Sequence, residues 1–139
     1  MTSEIRVDNL KGSTTGGSIN VLDGGGASQT NLQDGLAKAF YSVAHDSGTP
    51  TTKESLNISS HVDNGTGNIL TSYTTNMSIV KHCVLSACSE QSIGVFSNLG
   101  DISSAFETGR VNLRMSQGNT SLTRQDVDLA CISVHGDLA

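Results

Sequence analysis

The sequence predicts a mostly β fold: an antiparallel β-sandwich of jelly-roll-like type, with an extended N-terminal arm and one short helix. Three observations predict it. From residue 38 onward, apolar residues recur with period two in runs about ten residues apart, separated by turn signals. Ser and Thr make up 34 of the 139 residues and Gly another 15, the composition of short strands and many turns. Leu, Ile, Val and Phe total 33, enough for a core but a small one. A chain of this size buries roughly two-thirds of its unfolded surface, so association with further copies would add stability.

Residues 1–27 read as the arm. Ile5, Val7 and Leu10 form a short apolar series with Arg6 and Asp8 facing the other way. Gly12-Ser-Thr-Thr-Gly-Gly17, an Ile19/Val21 alternation and Gly24–Gly26 follow, and seven of the 15 glycines fall within the first 35 residues. Two such fragments joined by glycine cannot enclose a core, so the arm is expected to lie on another subunit or another copy, with Ile5, Val7 and Leu10 as its docking residues.

Residues 28–39 read as a short helix and connector. Thr30-x-x-Gln33 has capping-box spacing, and Leu32 and Leu36 stand one turn apart. A helix of about ten residues is marginal by itself. Its stripe needs a partner, either the underside of the domain or symmetry mates.

Residues 40–139 read as the sandwich. Phe40 to His45 alternates as one strand, and Leu56, Ile58, Ser60 and Val62 give another after Pro50. Asp63-Asn-Gly-Thr-Gly67 is a strong turn signal, because Asn and Gly tolerate positive φ. Ile69 to Thr75 returns as the hairpin partner. Further strands are expected at Cys83/Leu85/Ala87, at Val111/Leu113/Met115 and from Val127. In the last, Ile132 and Val134 shift the phase set by Val127, Leu129 and Cys131, which predicts a bulge or a change of exposed face near there. Turns are expected at Ser97–Asp101 and Ser116–Asn119.

Chemistry is sparse. A pI near 5.1 with eight scattered basic residues gives no footprint for nucleic acid. No apolar run approaches a membrane span, and the first ten residues lack the pattern of a signal peptide, so synthesis in the cytoplasm is expected. Cys83, Cys88 and Cys131, an odd number, read as buried apolar thiols rather than a disulfide framework. There is no Gly-x-Ser-x-Gly elbow, and His82 beside Cys83 would point to the opposite face of a strand. The histidines at 45, 61, 82 and 135 are well separated, without metal-ligand spacing, and read as surface or hydrogen-bonded residues. Gly24–Gly26 lacks the Lys-Ser/Thr of a phosphate cradle. Asp126 and Asp128 lie two apart and would share a strand face, the pairing a polysaccharide-degrading enzyme needs, but such pairs usually form solvated surface. The expectation is therefore no enzyme, no cofactor and no metal.

The segment Lys53-Glu-Ser-Leu-Asn-Ile-Ser-Ser-His-Val-Asp-Asn-Gly-Thr-Gly-Asn68, continuing to Asn76-Met-Ser78, resembles bacteriophage tail-fibre and fibre-like virion proteins of marine or cyanobacterial phage type. The matching residues are Leu56, Ile58, Ser59, Ser60, Asp63 to Gly67, Asn76 and Met77. Asn31-Leu-Gln-Asp-Gly-Leu-Ala-Lys-Ala-Phe40 is similar to the lead-in of that family, with Phe40 where Trp is usual. The stretch Ile132-Ser-Val-His-Gly-Asp-Leu-Ala139 resembles its close, and Ser3 to Leu10 its virion-attaching start. The resemblance implies a homotrimer located in the virion. The size fits a short tail fibre or spike that attaches by its arm to another virion protein and presents a knob to a host-surface glycan or protein. The same residues also serve a capsid-decorating protein. On this reading Leu32, Leu36 and Phe40 would be trimer contacts. Asn64, Thr66, Gln91, Asn98, Gln117 and Asn119, in the turns 63–67, 89–94, 98–101 and 116–123, would face a receptor.

Overall fold

A computed structural model of the chain describes residues 7–10, 19–22, 29–32, 36–46, 48–80, 82–90, 95–99, 106–118 and 123–139. The chain forms two compact units, Met1–Leu36 and Ala37–Ala139.

In the first unit, β1 (Asn20–Leu22) pairs antiparallel with β2 (Gln29–Asn31), with Val21 opposite Thr30. The Leu32 amide extends the pairing to the Ile19 carbonyl at 2.8 Å. Thr30 and Asn31, expected to open a helix, are therefore strand residues. A facing strand offers the backbone of these two residues partners at once, and Leu32 is the one described residue of the expected helix that is helical. Residues 33–35 of the expected helix lie outside the described residues, and the connector has become strand again by Ala39.

The second unit is a sandwich of two antiparallel sheets, as the period-two pattern predicts. One sheet has the order β4-β3-β11-β7, formed by β3 (Ala39–His45), β4 (Thr51–Leu56), β7 (Cys83–Ser89) and β11 (Val127–His135). The other has the order β5-β6-β10-β8, formed by β5 (Ile58–Asp63), β6 (Asn68–Tyr73), β8 (Val95–Leu99) and β10 (Arg110–Gln117), with the two-residue β9 (Phe106–Glu107) also on β10. The core lies between them. Ala39, Tyr41, Val43, Ala130, Ile132 and Val134 come from one sheet, and Ile69, Tyr73, Val111, Leu113 and Met115 from the other. Tyr41 meets His61 edge-on, ring centroids 4.7 Å apart.

The single strand expected over Leu56–Val62 is two strands in different sheets. Asn57, at φ 55°, turns the chain from β4 into β5. Its side chain locks the corner: Nδ2 donates to the Thr75 carbonyl at 3.0 Å, and Oδ1 accepts from the Thr75 amide at 2.7 Å. Asn tolerates this left-handed conformation because its side chain can bond locally.

The irregularity expected near Ile132 lies earlier in β11, as a register shift between Val127 and Ala130; from Ala130 on the pairing is regular, with Ala130, Ile132 and Val134 facing the core. β7 is less expected: Val84 and Cys88 pack on the core, while Leu85 is 61% exposed. Across the outer face of this sheet two rows run in register, Leu85–Ser133–Phe40–Leu56 and Ala87–Cys131–Ser42–Glu54. The cysteines, expected as buried thiols, are none of them fully buried: Cys83 is exposed and Cys131 half-buried on the outer face, and Cys88 is half-buried against the core.

Candidate functional site

Strand direction gives the sandwich two poles. β3 begins beside Val134 and ends at His45 opposite Val127. The chain comes into the second unit at the first of these, the root pole, where Lys38 donates to the Val134 carbonyl. The opposite end, the loop pole, holds His45, the β5–β6 turn and residues 124–127. β7 ends there at Ser89, β8 starts there at Val95 opposite Gln117, and β10 ends there. Of the four turns expected to face a receptor, 63–67 lies at this pole, and so do the described strand ends that bound 89–94 and 116–123; residues 91–94 and 119–122 lie outside the described residues. The fourth, 98–101, begins at the other end of β8, which runs away from this pole.

The 63–67 turn is bonded within itself and into the domain. Asp63 Oδ1 accepts the Gly65 amide at 2.9 Å, and the hairpin is closed by backbone bonds of 2.9 Å each from the Asn64 amide to the Asn68 carbonyl and from the Asn68 amide to the Gly65 carbonyl. Gly67 has φ 62°, and a Cβ there would stand 2.5 Å from the Met115 carbonyl oxygen and 2.7 Å from the Gln125 amide nitrogen. Only glycine lets this backbone approach β10 so closely. Its carbonyl accepts the Met115 amide at 2.8 Å, and its own amide donates to Asp126 Oδ1 at 2.6 Å.

Beneath the turn lies His45, with no exposed surface. Its Nε2 is 3.4 Å from Asp63 Oδ1 and its Nδ1 is 3.4 Å from Asp126 Oδ1. Neither contact is a hydrogen bond; both are ion-pair distances. The ring is flanked by a carboxylate at either end, which brings the end of β3 against the turn and the segment leading into β11. Asp126 is therefore engaged here, and the register shift that follows it removes the simple alternation with Asp128 that the sequence suggests. The Asp128 amide instead donates to Glu90 Oε2 at 3.1 Å.

Of the residues expected to meet a receptor, Asn64 and Thr66 are exposed on the turn. Gln117 is not in a loop. It belongs to β10, and its Nε2 donates to Gln125 Oε1 at 2.9 Å. Asn98 is likewise a strand residue, in β8 opposite Arg114, because the Ser97–Asp101 turn signal is overridden by pairing with β10. Gln91 and Asn119 lie outside the described residues, as does Ile5 of the arm; Val7 and Leu10 are exposed. Leu32 is half-buried and Leu36 exposed, while Phe40 is half-buried on the outer face of the four-stranded sheet. The His45 cluster escapes sequence reading because its members, at positions 45, 63 and 126, have no spacing in common; only the sheet topology joins them.

A second polar cluster closes the root pole. The Tyr73 hydroxyl donates to His82 Nε2 at 3.0 Å, since His82 Nδ1 faces the Ile79 carbonyl at 3.3 Å as donor. Burial holds the His82 pKa below its ordinary value, partly offset by the bond to Ile79, and burial also lowers that of His61. The Tyr73 hydroxyl is raised, chiefly by burial.

Among the described residues, no group of three or more His, Cys, Asp and Glu side chains converges in a way that could hold a metal ion. No described helix is long and apolar enough to cross a membrane. No protein family, curated protein or solved structure matches the chain.

Proposed function

We propose that the chain is a structural component of a phage virion, a short homotrimeric fibre or spike whose jelly-roll-like knob meets a host surface. The observation that carries this reading is the separation of the two poles. The chain comes into the knob at the root pole, beside Val134, and the strand ends that bound three segments rich in Ser, Asn, Gln and Gly lie at the other. An anchored presenting domain needs this arrangement: fixed strands between a point of attachment and a set of surface turns. The segment that most resembles fibre proteins, Asp63–Gly67, forms the turn on the loop pole. Residues 1–27 serve as the arm that docks on another virion protein through Ile5, Val7 and Leu10.

The test is to image particles bearing a tag after Ala139. Label at the tail tip or tail side supports the reading. Label spread over the head lattice overturns it in favour of a capsid-decorating protein. A triple substitution Ile5→Asp, Val7→Asp, Leu10→Asp is expected to leave the purified protein folded and to abolish its incorporation; normal incorporation would remove the docking role of the arm.

A further inference from the structure

We propose that the outer face of the β4-β3-β11-β7 sheet is a contact with further copies of this same chain, which deepens the oligomer proposed above by naming its contact surface. Leu85 and Leu56 stand 61% and 47% exposed at the two edges of one row, with Phe40 between them. Both are strand residues facing away from the core, where a sheet open to water normally places polar side chains. The small side chains of the neighbouring row, Ala87 and Cys131 among them, leave a shallow hollow of about 270 Å³, with a second of about 120 Å³ next to it. The face therefore carries projecting leucines at its two edges and depressions of side-chain size beside β7 and β11, so that about a three-fold axis one part of the face can seat a different part of the next copy.

Charge selects the occupant. The chain has a net charge of −5, so two copies repel wherever carboxylates meet. In the two rows Glu54, at the β4 edge, is the one charged group. The other sheet differs: on the side of its β10 away from the core stand Arg110 and Arg114, with Asn112 and Ser116 buried between and beside them. An acidic copy can approach the neutral face without stacking like charges, and an apolar contact does not weaken as salt rises. The area is of the right order. Four strands at 4.8 Å and seven residues at 3.3 Å span about 440 Å² in projection, before side-chain relief, against roughly 600–1,000 Å² of accessible surface per partner in stable complexes.

The experiment uses the full-length chain at micromolar concentration, read by native mass spectrometry and light scattering. The wild type is expected to associate, and Leu85→Arg and Ala87→Arg each to shift it to monomer with an unchanged circular dichroism spectrum. As a second measurement that needs no variant, a photo-crosslinker attached at the exposed Cys83, which lies on the same face, is expected to join β7 to β3, β7 or β11 of another copy. A monomeric wild type, Arg variants that associate like wild type, or crosslinks running only to residues 1–36 of a neighbour would each overturn the proposal. A trimer that survives Leu85→Arg removes this face but leaves the trimeric spike standing. Association lost in Leu85→Arg, with label on the head lattice, keeps the face and removes the spike.

Discussion

Gly67 is the residue on which the loop pole depends most. Its positive φ costs an L-residue about 1–2 kcal/mol, and a methyl group there would meet backbone that cannot rotate away. Gly67→Ala is therefore expected to lower unfolding stability by at least about 2 kcal/mol, read from the urea midpoint at unchanged m-value. Gly65, at φ 94° with nothing within 4 Å of its would-be Cβ, bears the conformational penalty alone, so Gly65→Ala should cost about half as much. Asp126→Ala leaves the Gly67 amide without its acceptor and removes a carboxylate from buried His45; a loss of about 1–3 kcal/mol is expected in the same measurement. The two histidines that burial holds neutral set a pH dependence. Their folded pKa values lie below the unfolded value near 6.5, so their contribution is complete above that pH and is lost as pH falls through the folded values. The melting temperature should fall on acidification below about pH 6.5. The double variant His61→Gln, His82→Gln should flatten that profile; an unaltered profile would refute the assignment.

At the scale of elements, what was legible in the sequence followed how local its signal was. The hairpin over 63–67 was readable because Asn and Gly announce positive φ within five residues. β3 and β10 were readable because apolar alternation exposes a buried face; the slip in β11 was legible only as a slip, since its place before Ala130 is set by pairing with β3. The corner at Asn57 was not, because Leu56, Ile58, Ser60 and Val62 keep period two straight through it; the chain changes sheet by one left-handed residue without breaking the alternation. Asn57→Gly keeps access to that φ and loses only the two bonds to Thr75, whereas Asn57→Ala loses both and adds strain. Thermal unfolding should rank wild type above Gly and Gly above Ala, the last step worth about 1 kcal/mol. β7 misled in a different way. Cys83, Leu85 and Ala87 look like a core stripe, but the opposite set, Val84 and Cys88, packs inward, and alternation cannot say which face is which when both are apolar. β8 and the extended Thr30 were missed because partners far along the chain, Arg114 and Val21, decide their conformation.

For the whole molecule, presentation by turns without Trp or Tyr predicts weak recognition per site. An isolated knob should bind a host glycan with Kd near the millimolar range, about −4 kcal/mol, and whole particles should gain roughly 10²–10⁴ in avidity. Titration of purified protein beside particle adsorption checks this, and micromolar or tighter binding by single knobs would sink it. The position of β3 has one more consequence, a mechanical one. β3 is the strand that receives the chain at Ala37, and it is held on both sides, by β4 and β11. Tension between an anchored root and a surface gripped at the loop pole therefore runs along its axis. Ladder hydrogen bonds lie across that axis, so β3 can slide only if those on both flanks fail together. Pulled in this direction by a force probe, the knob should yield at markedly higher force than when pulled at Thr51 and Leu56 at right angles to the strands, where the edge strand β4 peels off one bond at a time.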